Sequence, residues 1–119
     1  MCGKCKTPLL DGAPVAVTSS TFAAAVERTE LPVLVDFWAA WCGPCRAMAP
    51  AFERAAAEMK GRVRFAKLDT EAAPDIAGRY GIRSIPTMIL FRGGREAARV
   101  SGAMDARAIQ SWVNQATGR

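Results

Sequence analysis

The stretch "FWAAWCGPCRAMAP", residues 37–50, joins an apolar run to a series of helix-forming residues. Cys42 and Cys45 stand three positions apart at this junction. If Cys42 is the N-cap and Cys45 lies one turn inside the helix, both sulfur atoms fall on the same side, and free N–H groups of the first turn stabilise a thiolate on Cys42. The pair is then a working redox dithiol, with a structural disulfide or half of a metal site as the alternatives.

Composition limits the classes of function. The chain has 119 residues, half of them hydrophobic, which is enough for one globular domain that needs no disulfide for its stability. Its sixteen Lys and Arg are scattered among eleven Asp and Glu, so we expect no nucleic-acid binding. We see neither a signal peptide nor a membrane-spanning run, and therefore expect a cytoplasmic protein without membrane contact. Because the chain has no histidine, its chemistry must come from Cys, Asp, Glu, Lys or Tyr.

The pattern on either side of the cysteines predicts alternating strands and helices. The run 31–41 is nearly all apolar, as in a strand covered on both faces, and 44–61 is rich in helix formers, with a proline near its start and an expected kink at Pro50. Residues 62–69 alternate as in a second strand, and 74–81 have the proline and glycine that bound a short helix. This order predicts a parallel βαβ unit.

The C-terminal third predicts a hairpin and a covering helix. Residues 86–102 form two strand-like segments around Gly93-Gly94, and 105–116 begin with an Asp N-cap and present an apolar face. Near the front, Ser19 or Ser20 can cap a further helix that has Phe22 and Val26 on one face. We therefore predict an α/β fold with a mixed central sheet, in which parallel βαβ pairing is followed by an antiparallel hairpin, with helices on both faces.

Two segments carry a resemblance to a known family. "VDFWAAWCGPCRAMAP" (35–50) closely resembles the active-site segment of thioredoxins, and "YGIRSIPTMILFRGG" (80–94) resembles the segment that follows it. The likeness runs from about residue 14 to 117. It implies the thioredoxin fold, protein-disulfide reductase activity without a tightly bound cofactor, and recycling by the NADPH-dependent flavoprotein thioredoxin reductase. We expect a monomer acting on disulfide-containing proteins.

The two cysteines have different expected roles. Cys42, at the helix end, is the nucleophile that attacks the substrate disulfide, and it should be the exposed thiolate. Cys45 lies deeper, where burial keeps its thiol protonated until a base removes the proton, so it resolves the mixed disulfide. The first alternative within redox chemistry is an oxidase or isomerase of the same fold. The Gly43-Pro44 dipeptide resembles that of reductants, whereas oxidising relatives have His there.

Asp36 breaks the apolar pattern of the central strand. Burial of its carboxylate should raise its pKa, which is costly unless the group is used. By resemblance, Asp36 is the base toward Cys45, and Lys67 matches the lysine beside it. The alternatives are an edge position for Asp36 that reaches solvent, and an ordinary polar strand face for Lys67.

A substrate-binding rim also follows from the resemblance. X-Pro bonds are cis in only about 5–6% of cases, so the sequence by itself favours trans, whereas the family has a cis-proline loop beside its cysteines. Trp41 has core packing as its alternative role, and Gly102 could terminate a strand. The rim residues implied by the resemblance are Trp41, Gly43, Pro44, Ile85, Pro86, Gly102 and Ala103.

The N-terminal segment "MCGKCKTPLLDG" (1–12) contains a second C-x-x-C pair, Cys2 and Cys5. It resembles the second half of the zinc ribbon of second-type thioredoxins (thioredoxin 2), which suggests a ribbon truncated at Met1. We therefore divide the chain into an appendage, 1–13, and a thioredoxin domain, 14–119. Two thiolates cannot close a tetrahedral zinc site, so we expect no tight zinc in the monomer. The alternative is a zinc ion shared between two chains, two cysteines from each.

A function of a different class also fits the motif. The domain could be a binding module that supports another protein, with its cysteines incidental. A Cys42→Ser/Cys45→Ser double variant that keeps full function would favour this alternative.

Overall fold

The computed structural model describes residues 13–27 and 29–118 of the chain. Within them lie four helices: α1 (Phe22–Glu27), α2 (Gly43–Glu58), α3 (Pro74–Arg79) and α4 (Ala106–Ala116). The same part of the chain forms five strands: β1 (Val15–Val17), β2 (Val33–Trp38), β3 (Arg64–Asp69), β4 (Thr87–Arg92) and β5 (Arg95–Ser101).

The strands form one mixed sheet in the order β1-β3-β2-β4-β5. β3 runs parallel to both of its neighbours, whereas β4 is antiparallel to β2 and to β5. The turn between β4 and β5 consists of Gly93 and Gly94, with φ of 60° and 80°, a left-handed conformation that glycine adopts without steric cost. The predicted α/β architecture, with its parallel unit and its hairpin, is confirmed.

Two apolar clusters cover the two faces of the sheet. The first includes Phe22 of α1 and Ile76 of α3, and the second includes Phe52 of α2 and Ile109 of α4, so helices lie on both faces as predicted. The buried side chains of β2 alternate between these clusters, since successive residues of a strand point to opposite faces. Val33, Val35 and Phe37 belong to the first cluster, and Leu34 belongs to the second.

The C-terminal helix begins as predicted at an aspartate N-cap. The Ala108 N–H donates to Asp105 Oδ1 at 2.8 Å, which satisfies one of the free N–H groups at the start of α4. Among the described residues, none of the helices has the length and apolar character required to cross a bilayer.

Three details differ from the expectations. The sequence pattern missed β1, a strand of three residues that pairs with Ala66–Leu68 of β3. Capping of the first helix by Ser19 or Ser20 is wrong: Thr21 directly precedes α1, and Ser19 Oγ donates instead to Asp75 Oδ1 at 2.6 Å. Finally, α2 ends at Glu58, three residues before the predicted end at residue 61. The helix continues through Pro50 without interruption, and the kink expected there stays a prediction.

Candidate active site

The cysteine pair lies where β2 leads into α2. Cys42 is the N-cap of α2, with extended backbone angles, and Pro44 occupies the first turn, where its missing N–H costs nothing. The two cysteines form a disulfide with Cα atoms 5.2 Å apart. The Cys45 N–H donates to Cys42 Sγ at 3.1 Å. The helix therefore directs a backbone donor at the sulfur of Cys42, which favours negative charge on that atom in the reduced protein.

The expectation that Cys42 is the exposed member of the pair is wrong for this disulfide form. Cys42 is 4% exposed and Cys45 2%, because Ala39, Trp38 and Ile85 pack around both. The residues between the cysteines, Gly43 and Pro44, are exposed. The two sulfur atoms are therefore distinguished by their positions at the helix end, and hardly by their burial.

Asp36 is buried in the middle of the sheet. It is 4% exposed, and its neighbours in register are Lys67 on β3 and Met88 on β4, so the edge position is excluded. Burial raises the pKa of the Asp36 carboxyl to about 7, against the opposing effect of the Lys67 charge. Its Oδ1 atom has no hydrogen-bond partner among the described residues. Asp36 is thus poised to exchange a proton near neutral pH.

A small cavity connects Asp36 with Cys45. Its volume is about 50 Å³, which is enough for a water molecule, and Lys67 lines the same cavity. Lys67 is half-buried, and its Nζ lies 5.1 Å from the centroid of the Trp38 ring. The structure therefore brings together the cysteine, the carboxylate and the lysine that the sequence analysis singled out, and Lys67 is not simply part of a solvated strand face.

The loop before β4 approaches the disulfide from the other side. The Ile85–Pro86 peptide bond is cis, as the resemblance implied. The Ile85 carbonyl oxygen lies 3.8 Å from Cys42 Sγ. Gly102, with φ of 103°, donates its N–H to the Pro86 carbonyl oxygen at 2.9 Å. Gly102 directly follows β5, so it both ends the strand and lies beside the proline.

Trp41 is a surface residue, so core packing is wrong as its role. Its side chain is 66% exposed, which makes it the one large exposed hydrophobic group within residues 13–27 and 29–118, and its Nε1–H donates to Glu71 Oε2 at 3.1 Å. Glu71 was not predicted from the sequence, because it lies thirty residues away in a loop that has no periodic pattern. Gly43, Pro44 and Ala103 are exposed as a rim would require.

Cys2 and Cys5 lie outside the described residues. Within residues 13–27 and 29–118, no group of three or more Cys, Asp or Glu side chains is arranged to hold a metal ion.

The thioredoxin family model matches residues 13–115, which include all five strands, the first three helices and all of α4 except its last residue. The chain belongs to the thioredoxin family. It is similar to thioredoxin C-3 of Corynebacterium nephridii, with 42% identity across 96% of this chain and 78% of that protein. It is 47% identical to thioredoxin 1 of Nostoc sp., over 77% of this chain and 86% of that protein. A bifunctional thioredoxin reductase/thioredoxin of Mycobacterium leprae is 45% identical over 82% of this chain and 21% of its own length.

Membership assigns the class of chemistry. The fold is the thioredoxin fold, and the chain is a thiol–disulfide oxidoreductase whose Cys42–Cys45 disulfide is consistent with an active-site dithiol. Disulfide exchange requires two sulfur atoms that can bond to each other, and this pair does so at the end of a helix.

Proposed function

We propose that this thioredoxin reduces disulfides in other proteins, with Cys42 as the attacking residue. The Cys42 thiolate attacks one sulfur of the substrate disulfide, the other substrate sulfur leaves as a thiolate, and a mixed disulfide forms. The deprotonated Cys45 then attacks Cys42 Sγ, releases the substrate sulfur that Cys42 had bound and closes the Cys42–Cys45 disulfide. Two electrons pass to the substrate. The hydrogen bond from the Cys45 N–H to Cys42 Sγ is the observation that carries this assignment.

Asp36 supplies the base in this scheme. With a pKa raised to about 7 by burial, its carboxyl is partly ionised at neutral pH and accepts the proton of the Cys45 thiol. Transfer through water in the shared cavity fits the volume between the two groups. Lys67 acts on Asp36 as a positioning residue, since its positive charge favours the ionised carboxylate.

The substrate peptide binds across the rim around the disulfide. Ile85 and Pro86 offer backbone groups beside Cys42, and Trp41 supplies exposed apolar area. The other rim residues are Gly43, Pro44, Gly102 and Ala103. Their low bulk lets an extended chain approach the sulfur atoms.

We further propose that a flavoprotein thioredoxin reductase restores the dithiol at the expense of NADPH. A relative that carries both names in one polypeptide supports this pairing. The test mixes the protein with such a reductase, NADPH and a protein that contains disulfides, and follows NADPH oxidation. We expect turnover that requires all components. A rate equal to that without the protein would overturn the proposed function.

Alkylation separates the roles of the two cysteines. In the reduced protein near neutral pH, iodoacetamide should modify Cys42 well before Cys45, because the helix end stabilises the thiolate of Cys42. Mass spectrometry of peptides after short reaction times measures the order. Equal rates at the two sulfur atoms would contradict the assigned roles.

The N-terminal appendage, residues 1–13, supports placement in the thioredoxin 2 subfamily. The match to thioredoxin C-3 spans 114 of the 119 residues, so it extends into residues 1–12. We place the thioredoxin domain at 14–119, close to the family match. A cytoplasmic monomer without a tightly bound cofactor remains our proposal for the working form.

Zinc analysis tests the role of Cys2 and Cys5. We expect no stoichiometric zinc in the purified monomer, since two thiolates leave half of a tetrahedral site unfilled. Elemental analysis combined with native mass spectrometry gives the metal content and the oligomeric state together. About one zinc ion per two chains in a dimer, abolished by Cys2→Ser, would instead establish a site shared between chains.

A further inference from the structure

Two polar side chains are buried in the described core, Asp36 and Thr87. The proposed mechanism uses the first of them and gives no role to the second. Thr87 is the first residue of β4 and directly follows the cis-proline loop. A buried hydroxyl is costly unless it is hydrogen-bonded, so its partners indicate what it holds in place.

The Thr87 hydroxyl has two partners, and their chemistry fixes the direction of both bonds. Thr87 Oγ1 donates to the Ser84 carbonyl oxygen at 2.6 Å, since a carbonyl oxygen can only accept. A hydroxyl has one proton, so the 2.8 Å contact between Thr87 Oγ1 and Ser101 Oγ must use the proton of Ser101. The result is a directed chain from Ser101 through Thr87 to the Ser84 carbonyl.

This hydroxyl chain connects the two walls of the proposed substrate groove, which are the 84–86 turn and the end of β5 with Gly102. One end holds the turn at Ser84, which leads into Ile85 and Pro86, and the other end is Ser101, opposite Thr87 in the β4–β5 register. Directly next to Ser101, the Gly102 N–H donates to the Pro86 carbonyl oxygen at 2.9 Å. One backbone bond and two hydroxyl bonds therefore fix the distance between the walls.

The loop held in this way also reaches the reacting sulfur. The Ile85 carbonyl oxygen, one residue after Ser84, lies 3.8 Å from Cys42 Sγ. A displacement of the Ser84 turn would therefore move the backbone groups offered to a bound peptide. The backbone of the cysteine pair itself is held by α2, whose Cys45 N–H donates to Cys42 Sγ, and neither cysteine bonds to Ser84, Thr87 or Ser101.

We infer that Thr87 and Ser101 are positioning residues for protein substrates: their hydroxyl chain holds the 84–86 turn in the shape that receives an extended peptide. This inference rests on the proposed protein-disulfide reductase function. It predicts a loss of affinity for protein disulfides without a change in the reactivity of Cys42. A small disulfide that does not occupy the groove should therefore react as before.

The test uses Thr87→Val, which removes the hydroxyl and nearly preserves the shape, together with Ser101→Ala. Thr87→Ser restores the hydroxyl, and Thr117→Val is a matched control, because Thr117 Oγ1 also donates to a backbone carbonyl, that of Val113 at 3.0 Å, at the far end of α4. Each protein is reduced beforehand and mixed with excess protein disulfide or with a small aromatic disulfide. Stopped-flow measurements give the half-saturation concentration and the maximal rate.

We expect the half-saturation concentration for the protein disulfide to rise about fivefold in Thr87→Val, because the turn loses the bond at its Ser84 carbonyl, and fivefold corresponds to about 1 kcal/mol, the usual net value of one hydrogen bond. Ser101→Ala should raise it about twofold, because the bond to Ser84 remains. Maximal rates and the small-disulfide rate should stay at wild-type values, and Thr87→Ser and Thr117→Val should resemble wild type.

An unchanged half-saturation concentration in both groove variants would overturn the inference, and so would equal slowing with both disulfides in Thr87→Val. If Thr87→Val does not fold, Ser101→Ala, on an exposed strand position, decides alone. Failure of the proposed function has a different signature. In that case the wild type itself would reduce the small disulfide but no protein disulfide, and both proposals would be wrong.

Discussion

Cys42→Ser should lower the rate of protein-disulfide reduction by a factor on the order of 10³ or more, since loss of an enzyme's nucleophile removes most of its rate enhancement. A serine hydroxyl at the N-cap still accepts the bond from the Cys45 N–H, so the fold should persist. The NADPH-coupled assay measures the rate, and urea unfolding verifies the fold. A rate close to that of the wild type would remove Cys42 from the mechanism.

Cys45→Ser is the matched control, because it removes the resolving sulfur and leaves the attacking one. The first attack should then proceed and stop, so that one substrate molecule stays bound to each chain through Cys42. Non-reducing electrophoresis and mass spectrometry detect this adduct. Trapping by Cys42→Ser in place of Cys45→Ser would mean that the two roles are exchanged. The double Cys42→Ser/Cys45→Ser variant tests the binding-module alternative, which predicts full function without either sulfur.

The elements around the active site could be predicted because several local signals agree there. The apolar run of β2, the helix formers of α2 and the glycine pair of the hairpin each indicate one structure. β1 could not be predicted in the same way. It has three residues, and its place in the sheet depends on pairing with Ala66–Leu68, some fifty positions later. A pairing of this kind has no local pattern to reveal it.

The residues of the site were predictable to different degrees. Asp36 violates the apolar pattern of its strand, and that violation was visible in the sequence. Thr87 obeys the pattern, since threonine is common in strands, and only its hydrogen bonds distinguish it. The cis bond at Pro86 could be predicted only from the family resemblance, because the low frequency of cis X-Pro bonds argues for trans. The burial of Cys42 depends on Ile85, which the fold brings from more than forty residues away.

Asp36→Asn should stabilise the protein at neutral and alkaline pH. The pKa of this carboxyl is 3.8 in the reference state and about 7 when folded. Between these values the unfolded chain has lost the proton while the folded protein keeps it, so the free energy of unfolding falls as the pH rises. The loss is complete above about pH 7 and absent below about pH 4. The rise of the pKa from 3.8 to about 7 corresponds to a loss of about 4 kcal/mol in the free energy of unfolding.

Urea unfolding of wild type and Asp36→Asn from pH 4 to pH 8 measures this effect. The difference in free energy of unfolding should increase in favour of the variant by up to about 4 kcal/mol across this range. Any cost of the buried amide is independent of pH and cancels from the change. Asp75→Asn is the control that should show little change across this range: the hydrogen bond from Ser19 lowers the pKa of Asp75 below its usual 3.8, so its pH-dependent contribution to stability is lost only at lower pH. A pH-independent difference for Asp36→Asn would mean that its carboxyl titrates normally.

The same substitution should slow the release of reduced substrate, so stability and activity change in opposite directions. Without the carboxylate, the thiol of Cys45 loses the buried base beside it, and the amide of asparagine cannot accept the proton. In wild type, the rate of mixed-disulfide resolution should increase with pH through an inflection near 7, as Asp36 ionises. In Asp36→Asn that inflection should disappear, leaving a dependence set by the Cys45 thiol. If both proteins show the same pH–rate profile, the buried carboxylate does not carry the proton.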